Sequence, residues 1–240
     1  MFTLTNPVFN PYASEEITPP HTREWAAKRE LTRVLRQLNE LAVTTNASVE
    51  DIEARTAELQ GLADTLAARP QCRGTLAFVE TGGHGSYGEI NHELNAVGGH
   101  SNPLAPELNI WLEGKVAHGV ARCHYAYEGP PGFVHGGYVA AIFDQFLGMA
   151  QIAGGRPGMT GSLTVRYLRP TPLATELTLR AQMAETSGRK TIMRGEMLAN
   201  GEVTATAEGL FIEPQQPIQT LAGKCGGNGQ PIDVADGQDR

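Results

Sequence analysis

Residues 128–155 read EGPPGFVHGGYVAAIFDQFLGMAQIAGG, and one carboxylate, Asp144, sits inside the apolar part of that run. Apart from His135, nothing else between Phe133 and Gly155 changes charge near neutral pH. The run predicts a helix. A carboxylate in mid-helix cannot serve as an N-cap, and burying it ionised is costly unless it is paired. It is therefore a candidate for chemistry before it is a candidate for stability. Gly136 and Gly137 open the helix. Glycines there let a ligand approach the backbone, and free N–H groups at the positive end of the dipole suit an oxyanion or a polarised carbonyl. Asp144 follows Gly137 by seven residues, two turns on and on the same face, about 10 Å along the axis. One small reacting group hardly touches both from a single helix. Either the two serve different parts of a ligand, or an antiparallel helix from a two-fold mate brings its Asp144 to this Gly137.

The elements around this helix follow from pattern. Residues 1–22, with four prolines and no period, predict an irregular arm. Leu31, Val34, Leu35, Leu38, Leu41 and Ala42 form a helical stripe. Thr44 to Ala47 interrupts it, and Ser48 with Asp51 resembles a capping box. Ile52, Leu59, Leu62, Ala63 and Leu66 give a second stripe, so 23–70 predicts a helical hairpin extension. Amphipathic stripes bury themselves, which predicts packing on the main domain or on a neighbouring subunit. Residues 71–104 predict a Gly/His-rich connecting loop, with a short strand at 75–79. His84, His92 and His100 recur every eight residues, which is no period that converges three rings, so no metal site is expected. Two strands are expected in 108–126. After the helix, strands are expected at 161–168, 176–184, 191–199 and 202–212, with Asn200-Gly201 as a tight hairpin. One long helix followed by an antiparallel meander is α+β, not alternating βαβ. Residues 215–240 predict a disordered tail.

The net charge of −7 argues against a nucleic-acid binder. Three cysteines without a CxxC fit a reduced intracellular protein. The first twenty residues lack Lys and Arg, against a signal or transit peptide, and no apolar run reaches the ~20 residues of a membrane span. A cytoplasmic location without membrane insertion is expected.

Four segments carry a family resemblance: 128–144 (EGPPGFVHGGYVAAIFD), 159–173 (MTGSLTVRYLRPTPL), 187–190 (SGRK) and 207–214 (AEGLFIEP). In His-Gly-Gly, the Asp seven residues on, Thr160 sixteen further and the R-P-x-P-L turn, the chain resembles the hotdog-fold acyl-CoA thioesterases of the phenylacetate-pathway and thioesterase-superfamily-member type. The resemblance spans 105–214. It implies an antiparallel sheet wrapped around the long helix, paired into a homodimer or a dimer of dimers, with an acyl-CoA thioester as substrate and no cofactor. It implies Asp144 as base or nucleophile, and the Gly137 amide polarising the carbonyl from the opposite protomer. Thr160 would hold the water or the carboxylate, and His135 and Gly136 would border the site. Arg189 and Lys190 would meet the coenzyme A phosphates. Phe143, Phe146, Leu147 and Met149 are expected beside the acyl group. Simpler readings exist: Asp144 as a polar residue bonded across a dimer interface, Thr160 as a strand-entry residue, Arg189 and Lys190 as solvated turn charges. A non-catalytic acyl-CoA-binding sensor, or a hotdog dehydratase or hydratase, are the alternative functions.

Overall fold

The computed structural model describes residues 22–152 and 158–215. The arm expected over 1–22 and the tail expected over 215–240 fall outside these residues, but for Thr22 and Gln215. The helices are α1 (Arg23–Thr44), α2 (Val49–Ala67), α3 (Thr75–Thr81), α4 (Tyr87–Leu94) and α5 (Gly136–Ile152). The strands are β1 (Glu107–Glu113), β2 (Val116–Arg122), β3 (Met159–Tyr167), β4 (Glu176–Ser187), β5 (Lys190–Ala199) and β6 (Glu202–Ile212). All six strands join one antiparallel sheet in the order β1-β2-β4-β5-β6-β3, and α5 lies across it. This is the sheet-on-helix arrangement that the pattern predicts.

The packing follows from alternation. On β4, Leu177, Leu179 and Ala181 are buried and Thr178, Arg180 and Gln182 are exposed, the two faces of a half-covered sheet. The buried face meets Ile142, Phe143, Phe146 and Leu147 of α5, all 0% exposed. Two strand glycines let the helix come close. A Cβ at Gly195 would sit 2.9 Å from Leu147 Cδ2, and one at Gly119 would sit 3.1 Å from Phe146 Cε2.

Residues 71–104 are not the connecting loop expected. They fold into α3 and α4, and the strand expected at 75–79 is helical. A short apolar run cannot be assigned to strand or helix by periodicity alone. Its partner decides: Phe78 packs on Trp25 and Ile90 in a second small core. The start of α4 was readable, since Ser86 and Glu89 make a capping box. The two N-terminal helices form, and the Ser48 hydroxyl accepts from the Asp51 N–H at 3.2 Å. α1 docks through buried Trp25, whose indole N–H donates to the His84 carbonyl at 2.9 Å. α2 buries none of its residues against the chain.

A Gly195→Val substitution drives a branched side chain into Leu147 and is expected to cost about 1–3 kcal/mol, read as a lower denaturant midpoint.

Candidate active site

His135 starts α5. Its carbonyl accepts from the Tyr138 and Val139 amides, and its ring Nδ1 accepts from the Gly137 N–H at 3.0 Å. The side chain thus does what Ser or Asn does at an N-cap. An accepting Nδ1 carries no proton, so the neutral ring carries its proton on Nε2. The Gly136 N–H has no hydrogen-bond partner among the described residues. The expected carbonyl donor, Gly137, is therefore occupied here, and its neighbour is open.

The loop ahead of His135 rests on the R-P-x-P-L turn. The Val134 N–H donates to the Thr171 carbonyl at 2.8 Å, and the Leu173 N–H donates to the Gly132 carbonyl at 3.2 Å. A Cβ at Gly129 would lie 2.7 Å from His135 Cα, so the Pro-Gly turn packs directly against the histidine backbone. The Glu128 carboxylate accepts from the Gly132 N–H at 2.6 Å, and Glu40 of α1 accepts from the Ala126 N–H at 3.1 Å.

Asp144 is exposed on the side of α5 facing β3, rather than enclosed by apolar neighbours as its sequence surroundings suggest. Its Oδ1 accepts from Thr160 Oγ1 at 2.8 Å. A bulge aims that threonine. Leu163 pairs with Gly209, Ser162 with Leu210 and Thr160 with Phe211, leaving Gly161 as the extra residue. Without the extra residue, Thr160 would face away from the helix; with it, Thr160 shares the face of buried Phe211. The other end of β3 is also tied to α5, since the Tyr167 hydroxyl donates to the Gly136 carbonyl at 2.8 Å. Sequence reasoning missed Tyr167. Its place in VRYLRP was visible, but nothing local says that it reaches the helix start.

The structure thus forms two groups: Asp144 with Thr160, and His135 with Gly136, Gly137 and Tyr167. Arg189 and Lys190 are exposed on the β4–β5 hairpin. Lys190 pairs with Ile212, which pairs with Met159, so this hairpin lies two strands, about 10 Å, from the residue before Thr160. Neither makes an ion pair among the described residues, and Arg189 donates to the Glu213 carbonyl at 3.0 Å. Phe143, Phe146, Leu147 and Met149 were expected beside the acyl group; the first three are instead fully buried core residues under the sheet, with Met149 at 9% exposure. A helix face long enough to bury itself on a sheet uses its largest apolar residues for that contact.

Burial pushes the Cys123 thiol up to about 12, which leaves no thiolate for nucleophilic work. His84 bonds Glu24 at 2.8 Å, while the His92 and His100 rings meet each other at 4.5 Å elsewhere. Among the described residues no three His, Cys, Asp or Glu side chains cluster as a metal site.

The family model described as "Thioesterase superfamily" matches residues 131–206. Acyl-coenzyme A thioesterase THEM4 of Mus musculus is 34% identical over 95 residues, covering 38% of this chain and 41% of that protein. The Xenopus laevis protein of that name is 32% identical over 88 residues, 36% of this chain and 40% of that one. The chain spans about two fifths of the length of these curated relatives. A crystal structure of a thioesterase superfamily protein is 31% identical, with a TM-score of 0.64, covering 77% of this chain and 90% of that one. Residues 105–214 are under half of the chain, so that match reaches into the N-terminal helices.

His100 supplies a stability test. Burial, first, and the nearby Arg29 lower its pKa to about 4. Between about pH 4 and 6.5 the unfolded state binds a proton that the folded state refuses, so stability falls as pH drops below 6.5. The loss by pH 5 is expected to reach about 2 kcal/mol. Denaturant titrations at pH 7 and pH 5 check it, and His100→Gln should flatten the difference.

Proposed function

We propose acyl-CoA hydrolysis for this chain, which belongs to the thioesterase superfamily. The observation that carries the reading is the bond from Thr160 Oγ1 to Asp144 Oδ1, 2.8 Å long, on an exposed carboxylate. Thr160 occupies one carboxylate oxygen and leaves Oδ2 for the reaction. That oxygen takes a proton from water, whose oxygen attacks the thioester carbonyl carbon. The carbon–sulfur bond then breaks, and the proton passes to the leaving thiolate. Direct attack by Oδ2 to give a mixed anhydride, later hydrolysed, uses the same placement. No cofactor enters either route.

The carbonyl oxygen needs donors. The open Gly136 N–H at the start of α5 is the one we assign first. The Gly137 N–H joins it when the His135 ring turns away. The Tyr167 hydroxyl holds the Gly136 carbonyl, and with it the orientation of this first turn.

We infer a site shared across a homodimer. Gly136 and Asp144 are both tied to β3, an edge strand whose Met159, Tyr167 and neighbouring Leu168 are 52–56% exposed. An unpaired edge of nine residues is a template for another strand. A two-fold mate on that edge would run its α5 antiparallel and set its Asp144 near this Gly136. Pairing of such dimers into tetramers fits the same reading. Arg189 and Lys190 sit at the sheet end nearest Thr160 and suit the coenzyme A phosphates. No described helix is long and apolar enough to cross a membrane. We place the reaction in the cytoplasm, on the dispersed cysteines, and assign no nucleic-acid partner. A dehydratase would need His135 as acid or base beside Asp144, nine residues away on the chain, whereas its Nδ1 is engaged by Gly137.

Asp144→Asn keeps the Thr160 contact and removes the base. Thiol release from short, long and aryl acyl-CoAs should fall about 10²–10⁴-fold, with the molecular mass unchanged. Equal turnover by the variant removes Asp144 from the reaction, and tight binding of acyl-CoA without thiol release by the native chain favours a sensor. Tyr167→Phe frees the first turn of α5. We expect kcat to drop about tenfold with KM within about twofold; a change in KM alone would make Tyr167 a binding residue.

A further inference from the structure

The N-terminal extension carries a surface that the proposed chemistry does not use. Helix α1 is apolar on two sides. Trp25 and Thr32 face the body of the chain and are buried. Leu31, Val34, Leu38 and Leu41 line the opposite side at three- and four-residue spacing, and three of them are 39–48% exposed. Helix α2 repeats the pattern with Ile52, Leu59, Leu62 and Leu66, each 44–46% exposed. Of the fifteen exposed large hydrophobics among the described residues, nine lie between Leu31 and Leu66. That concentration is more than the single scattered residues normal for a surface.

A nineteen-residue helix draws most of its stability from packing, and among the described residues α2 has no buried residue. Its occupant can be argued from charge. It has five acidic residues and one arginine, which disfavours an anionic lipid surface. α1 has five basic residues and three acidic ones. Among the described residues, α1 alone offers an open stripe with the spacing of α2. The link at 45–48 is extended at both ends.

We propose that α2 is an exchanged arm: it packs along the open face of α1 in a second copy of this chain. Each copy offers one arm and one seat, so a two-fold pair closes and leaves neither stripe bare. The seat is the helix whose Glu40 holds the Ala126 amide, on the approach to His135. The arm therefore backs the helix that braces the loop of the site.

Cross-linking tests this without recourse to activity. Leu38→Cys and Leu59→Cys are made in full-length chains that also carry Cys72→Ser and Cys225→Ser. Leu38 is half-buried and Leu59 exposed, so neither is a core residue of the single chain. The two chains are co-expressed and treated with a flexible bis-maleimide. A covalent dimer containing one chain of each kind is the expected product. The double variant, Leu38→Cys with Leu59→Cys, co-expressed with a tenfold excess of cysteine-substituted chain lacking both, should lose its cross-linked dimer about tenfold. A cross-linked monomer from the double variant would show that α2 folds back on its own α1 and overturns the proposal. So would the absence of any mixed dimer, which leaves α2 to a different protein or to solvent.

Discussion

The hydrogen bonds that join β3 to α5 set the terms for everything else in this molecule. Thr160 holds Asp144 near the middle of the helix, and Tyr167 holds Gly136 at its start. Between them the edge strand fixes both the carboxylate and the open amide of the first turn. The two contacts could not coexist in a regular strand, because residues 160 and 167 would then point to opposite faces. Alternation puts every second side chain on one face, and Thr160 reaches the helix only because Gly161 is bulged out of the β3–β6 pairing. A Cβ at Gly161 would lie 2.8 Å from Ile212 Cδ1, so a larger residue at the bulge would have to displace the end of that side chain.

The same logic explains why distant motifs occur together. His-Gly-Gly and R-P-x-P-L are separated by more than thirty residues, yet one rests on the other. Two backbone hydrogen bonds, between Val134 and Thr171 and between Leu173 and Gly132, tie the loop to the turn. The histidine then caps the helix through its own ring. Its position is structural as much as chemical. It closes one amide and leaves the neighbouring one open, a division that no count of residues reveals.

How far the fold was legible depended on the kind of signal. The strands after α5 were read from alternation and from Asn200-Gly201, where both residues adopt positive φ. These are local signals, and local physics decides them. Residues 75–79 went the other way. Their apolar run reads as a strand but is a helix, because Trp25 and Ile90 supply the surface on which Phe78 packs. Phe143, Phe146 and Leu147 were placed beside an acyl group and instead fill the core. From sequence their exposure could not be known, since a helix that is apolar nearly all round does not say which side meets the sheet.

Residue types and spacing alone define the chemistry available: one carboxylate in an apolar helix, two glycines at its start, and a threonine sixteen residues later. They also define the element types wherever period and turn residues agree, because those preferences act over a few neighbouring residues. Which of these groups meet is set by long-range packing. The carboxylate stands at the surface beside Thr160, Gly137 is engaged and Gly136 is open, and Tyr167 joins the site from the far end of a strand. Such contacts depend on register, on a single bulged glycine and on the approach of helix to sheet, all set by packing between segments far apart in the chain.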